Sequence, residues 1–184
     1  MMTSLVLTVL GEDRPGLVES LAQVIAAHGG NWLESRMARL AGKFAGILRA
    51  AVPQAHTDAL TSALRDLESQ GLRLLIDWSP SDVPVQDARQ LRLNLVGNDH
   101  AGIMRDVAHA LAWRGINIDE LHTETTHAPM SGEALFRAVA YVRVPRDVAL
   151  AALQGQLEHI AHDLMVDITL EDVSSPATSP LPLP

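Results

Sequence analysis

Apolar and polar positions alternate, then recur at helical spacing, then alternate again, and the whole cycle runs twice. Residues 3–10 read as a buried strand, with Leu5, Leu7 and Val9 on one side. Leu91, Leu93 and Leu95 repeat that alternation, while Arg92 and Asn94 mark the opposite face as less completely covered. Beyond a glycine-bearing turn, Leu17, Val18, Leu21, Val24, Ile25 and His28 fall on one helical stripe that Gly29-Gly30 terminates. Ile103, Met104, Val107, Ala110, Leu111 and Arg114 form the matching stripe, closed by Gly115. Two strands come next in each half, 31–41 with 43–52 around Ala41-Gly42, and 117–127 with 134–144 around Pro129, Ser131 and Gly132. A second helix (Leu60, Ala63, Leu64, Leu67; then Leu150, Leu153, Leu157, Ile160, Leu164) and a last strand (72–76; 164–168) complete each half. The predicted order is β-α-β-β-α-β, twice. It specifies an α+β protein of two ferredoxin-like units, each a four-stranded antiparallel sheet with two helices on one face.

The duplication is written in identities as well as in pattern. Gly11/Gly97, Asp13/Asp99, Gly16/Gly102, Ala22/Ala108, Ala26/Ala112, Gly29/Gly115, Asn31/Asn117 and Glu34/Glu120 are each 86 positions apart. Phe44/Phe136 and Pro53/Pro145 are 92 apart, so the second hairpin carries six extra residues. Such a period exceeds the roughly 20–50 residues of a solenoid repeat, so a whole small domain has been copied. Expected boundaries are 1–79 and 89–173 for the two domains, with a Pro- and charge-rich linker at 80–88 and a flexible Pro-rich tail at 174–184. Units of this size are marginal alone, so the halves are expected to share an interface.

Composition narrows the function. With no cysteine, disulfides, thiolate catalysis and Zn–Cys sites are excluded, which suits a cytoplasmic protein. A net charge of −8 has the wrong sign for binding nucleic acid through the general field. No apolar run is long enough to span a membrane, and residues 1–10 lack the basic start of a signal peptide. Arg36, Arg39, Lys43 and Arg49 form a basic stripe that reads as outward-facing strand positions. Glu120, His122, Glu124 and His127 lie on one predicted strand, and His159 and His162 on the last helix, but neither set matches a metal-ligand pattern. Nucleophile elbows, phosphate loops and dinucleotide fingerprints are missing, so no catalytic residue, metal or cofactor is expected and the chain reads as non-enzymatic.

The strand-to-helix turns carry the chemistry. Free N–H groups at a helix start attract an anion, and glycine there lets a ligand approach the backbone. Asp13 is expected to accept hydrogen bonds from the N–H groups of the first helix, with Pro15 near its first turn. An amino-acid carboxylate suits such a corner, with Asp13 or Asp99 available to its ammonium group.

Asp13-Arg14-Pro15-Gly16-Leu17-Val18, set between the first strand and first helix of a βαββαβ unit, resembles the ACT domain, a small ligand-sensing regulatory module. The resemblance spans 3–79 and 89–172, with His100-Ala101 replacing Arg-Pro in the second copy. Two such units, with the segment from Glu34 to Ile47 after the first helix, resemble the glycine cleavage system transcriptional repressor family. That resemblance implies an accessory regulator that senses a small amino acid, such as glycine, and contacts a DNA-binding regulator instead of DNA. The alternative is a regulatory subunit docked on a metabolic enzyme. It further implies ligand contacts from Asp13, Arg14, Pro15, Gly16, Leu17 and Asn31, and from Asp99, His100, Gly102, Ile103 and Asn117 in the second copy. Asp13 and Asp99 stand where the family frequently has Asn. ACT units usually pair, and edge strands left open would support a homodimer.

Overall fold

A computed structural model describes residues 1–79, 88–128 and 132–173. The expected tail, most of the expected linker, and Pro129, Met130 and Ser131 lie outside the described residues. The chain divides into two compact units, Met1–Pro84 and Val85–Pro184.

The first unit runs β1 (Met2–Glu12), α1 (Leu17–Ala27), β2 (Asn31–Leu40), β3 (Lys43–Pro53), α2 (Thr57–Asp66) and β4 (Leu72–Ser79). Short 3-10 turns flank α2 at Gln54–His56 and Leu67–Gln70. The second unit repeats it with β5 (Ala88–Asn98), α3 (Ile103–Trp113), β6 (Asn117–His127), β7 (Ala134–Pro145), α4 (Leu150–Leu164) and β8 (Val166–Asp172). Strand orders are β2-β3-β1-β4 and β6-β7-β5-β8, with antiparallel pairing throughout. The observed architecture is the one expected, a doubled split βαβ sheet. β5 begins at Ala88, inside the segment expected to be linker.

Each unit has its own core. Leu5, Leu7 and Val9 of β1 are fully buried, opposite Ala50, Leu48 and Gly46 on one side and Trp78, Ile76 and Leu74 on the other. Leu17, Leu21, Ile25, Leu60 and Leu64 close over that face from the two helices. Burying each large aliphatic side chain contributes about 1.5–3 kcal/mol. In the second unit Leu91, Leu93 and Leu95 meet Ile103, Val107, Leu111, Leu153 and Leu157. One position of the predicted stripe departs from expectation: Val18 is 46% exposed. Leu17, Leu21 and Ile25, at four-residue spacing, suffice to fill the groove above the sheet.

Both first helices end in the same way. The Gly30 and Ile116 N–H groups reach back to the Ile25 and Leu111 carbonyls, with Gly29 and Gly115 left-handed between. A β-bulge interrupts each third-element strand at the same place, between Trp32 and Glu34 and between Ile118 and Glu120. Beyond that bulge Glu120, His122 and Glu124 lie on the sheet face away from the helices, opposite Tyr141, Val139 and Arg137.

Candidate functional site

At the first corner the chain leaves β1 tied to its surroundings on three sides. The Asp13 N–H donates to the Gly42 carbonyl at the hairpin tip (3.0 Å), and the Asp13 carboxylate meets Arg39 Nε at 2.8 Å. Lys43 pairs with Glu12, and Arg14 Nη2 donates to the Gln70 carbonyl at 2.8 Å, beyond the end of α2. These charges are exposed, so each contact contributes at most about 1 kcal/mol and acts mainly to position the turn.

Asp13 therefore does not cap α1 as expected. The N-cap is Gly16 (φ 88°), which has no side chain to accept from the first N–H groups of the helix. The residue preceding the first helical position must cap, and that lies three residues past Asp13, whose carboxylate turns to Arg39 instead. Where a Gly16 side chain would stand, nothing lies within 4 Å. α1 thus starts without a side-chain cap, and the side of Gly16 where a Cβ would project is clear. Beside the end of β1 lies a cleft of about 250 Å³ lined by Leu10, Gly11, Glu12, Lys43, Gly71 and Arg73.

The second corner shares the backbone but not the opening. Gly102 is again the left-handed N-cap (φ 102°), yet Arg105 Nη2 lies 3.2 Å from where its side chain would begin. Arg105 grips Asp106 through two bonds, at 2.7 and 3.1 Å. The hydrogen bond from Arg105 holds the Asp106 carboxyl below the ordinary carboxylate range. A cation and a carboxylate thus already occupy this corner. In the first unit the corresponding Glu19 bonds Gln23 along the helix, and Ser20 Oγ donates to the Gly16 carbonyl.

His100 takes over the task of Arg14. Its Nε2 is 3.1 Å from the Leu164 carbonyl, at the end of α4, as Arg14 is bonded to Gln70 beyond α2. The next residue is left-handed in both units, Gly71 in one and Met165 in the other. The His100 for Arg14 exchange therefore retains a side-chain bond to the last carbonyl of the second helical segment.

Asn31 and Asn117 sit elsewhere. Asn31 is opposite Ala51, which is opposite Ser4, whereas the corner follows Gly11. Gly11 lies seven residue steps along β1 from Ser4, roughly 23 Å at the usual rise. Within one unit the corner and the asparagine do not converge on one small ligand. Asn31 is exposed. Asn117 donates to Asp119 Oδ1 at 2.8 Å, and Arg143 clasps the same carboxylate at 2.6 Å. The Arg143 hydrogen bonds, then the one from Asn117, hold Asp119 below the ordinary carboxylate range. Sequence reasoning missed Asp119 because the bulge that aims it at Arg143 breaks the period-2 count. The paired bulge positions Leu33 and Asp119 were the available signal.

The remaining candidates are surface contacts. His122 stands 3.8 Å from Glu120, and His159 pairs with Asp163 along α4 at 3.6 Å. Among the described residues no group of three His, Cys, Asp or Glu side chains is arranged to hold a metal ion. Nor is any described helix long and apolar enough to cross a membrane.

Comparison with known proteins matches residues 3–77 to the ACT domain family model. A crystal structure of a protein of unknown function from Galdieria sulphuraria is 32% identical, covering 94% of this chain and 99% of that one, with a TM-score of 0.83. A candidate glycine cleavage system transcriptional repressor of known structure covers 94% of this chain and 98% of its own at 22% identity and a TM-score of 0.70. Among curated proteins, phosphoserine phosphatase SerB2 of Mycobacterium tuberculosis is 29% identical over 176 residues, 92% of this chain. The chain spans 41% of that enzyme's length. The first unit is thus an ACT domain by the family model, and the second repeats its strand order and element succession, so that the fold is duplicated.

Proposed function

We propose that the chain is an amino-acid-responsive regulatory protein, without catalysis of its own, whose first strand-to-helix corner receives the effector. The observation that carries this reading is the contrast between the two corners. Both helices start without a side-chain cap, but a side chain at Gly16 would meet nothing within 4 Å, whereas at Gly102 it would lie 3.2 Å from Arg105, which is paired with Asp106.

An amino acid's carboxylate would accept hydrogen bonds from the first N–H groups of α1, with the helix dipole adding to the attraction. Its ammonium group would draw on Asp13 or Glu12, now neutralised by Arg39 and Lys43. Glycine is the smallest ligand with both groups. Occupancy would bias the corner, and with it the Arg14–Gln70 tether to the second helical segment, toward one arrangement. A partner that distinguishes the arrangements would then feel the ligand by linkage.

The output we favour is contact with a DNA-binding regulator, in the manner of a glycine cleavage system repressor. The shared two-unit architecture with the candidate repressor and the net charge of −8 both support it. A second reading, control of an amino-acid metabolic enzyme, draws support from the likeness to part of a phosphoserine phosphatase. That enzyme's own activity is not carried over with the 41% that aligns.

Calorimetric titration with each of the twenty amino acids tests the site. Wild-type protein should bind at least one of them. A Glu19→Arg/Ser20→Asp variant, which rebuilds the filled second corner in the first, should lose that binding while keeping its fold. Absence of any amino-acid heat, or full affinity in the folded variant, would overturn the assignment. Co-purification of a DNA-binding protein or of a metabolic enzyme with the tagged chain separates the two outputs.

A further inference from the structure

The two copies share a backbone, yet their outward sheet faces differ at one group of matching positions. In the first unit that face carries Leu10, Ile47 and Leu75, with Ala38 and Ala45 directly opposite each other on β2 and β3. In the second unit the matching positions are Val96, Val139 and Thr169, and the two alanines become Glu124 and Arg137. His122 and Asn94 flank Val139 in the adjoining row. These side chains border a groove of about 590 Å³. It lies wholly within the second unit, on the sheet face opposite the helices.

Glu124 and Arg137 are cross-strand neighbours of opposite charge, an arrangement in which side chains commonly pair. Among the described residues, however, neither side chain makes an ion pair or hydrogen bond. Asn94 Nδ2 is spent on Thr169 Oγ1 (3.3 Å) and His122 faces Glu120 (3.8 Å), so neither neutralises the two free charges. One anionic and one cationic group thus stand side by side above an apolar floor of Val96 and Val139. Their complement is a small molecule bearing an ammonium and a carboxylate a few atoms apart. Arg137 presents a planar fork to the carboxylate, and Glu124 accepts from the ammonium.

We propose that this groove is a second ligand site, for a small zwitterion of the amino-acid type, distinct from the strand-to-helix corners. Binding would replace the missing Glu124–Arg137 pair with two charge-assisted hydrogen-bonded contacts, one at each end of the ligand. Because the side chains are exposed, binding is weak and depends on both head groups together.

Amide-resolved NMR titration of the full chain with alanine, propionate and ethylamine tests it. Alanine should shift residues 94–96, 122–124 and 137–139 in a saturable way, with affinity about tenfold tighter than either single-headed probe. Glu124→Gln and Arg137→Gln should each weaken alanine binding by a similar factor, leaving responses at residues 14–18 unchanged. Equal binding of propionate or ethylamine, undiminished binding in both variants, or no saturable shift in the groove would each overturn the proposal. In this titration the corner is read from residues 14–18 and the groove from residues 94–96, 122–124 and 137–139, so either site can fail without the other.

Discussion

Gly97→Ala offers the sharpest test of how the repeated glycines act. A methyl group at Gly97 would stand 2.3 Å from Val166 Cγ1, 2.8 Å from its Cβ and 2.9 Å from its Cα. Rotating Val166 clears the first contact but not the other two, so β5 and β8 must separate where Gly97 faces Val166. Overpacking of this kind costs up to about 3 kcal/mol. Loss of glycine's freedom in the unfolded chain returns about 0.5 kcal/mol. The net loss is thus about 2.5 kcal/mol, equivalent to roughly 10–20 °C in the midpoint of a unit this size. Gly11 provides the internal control. There the close atom is Leu72 Cδ2 at 2.9 Å, the far end of a side chain that can swing away, so Gly11→Ala should cost less than about 1 kcal/mol. Differential scanning calorimetry of both variants reads the difference. If Gly97→Ala is no more destabilising than Gly11→Ala, the claim that this glycine is required by strand packing is wrong.

Met165 is left-handed (φ 53°) and 83% exposed where Gly71 serves in the first unit. Met165→Gly should raise stability by about 1 kcal/mol, seen as a higher urea midpoint, and an unchanged or lower midpoint refutes the strain. Asp119 has a depressed pKa, so its contribution is present above the ordinary value of 3.8 and is lost as pH falls through its lower folded value. Partial exposure limits that contribution to about 0.5 kcal/mol. Wild type should accordingly lose stability faster than Asp119→Asn as acid is added below that pH, and parallel urea midpoints across the range would contradict it. The corner and groove titrations described above complete the set.

Most of the fold was legible in the chain because the packed positions are local and periodic. Leu5, Leu7 and Val9 alternate, Leu17, Leu21 and Ile25 step by four, and both patterns recur 86 residues on. The corners were legible as places, since Gly16 and Gly102 fall between strand and helix signals in both copies. Their occupants were not. Nothing in the spacing of Arg105 and Asp106 says that they fold back over Gly102, while Glu19 and Ser20 bond along their own helix. Asp13 reads as a helix cap from composition, and only Arg39, delivered by the hairpin, explains why it turns away.

The sequence by itself determined the duplicated βαββαβ plan, the core faces and the glycine-bearing strand-to-helix turns, because apolar period and glycine placement act over a few neighbouring residues. The tertiary structure alone decided that Arg105 and Asp106 crowd Gly102 while nothing crowds Gly16, that Asn31 lies at the far end of the sheet from Gly11, and that the Glu124 and Arg137 side chains stand opposite each other without pairing. These are relations between strands distant in the chain, set by register and by one bulge, and a linear pattern does not encode which side chain arrives from across the sheet.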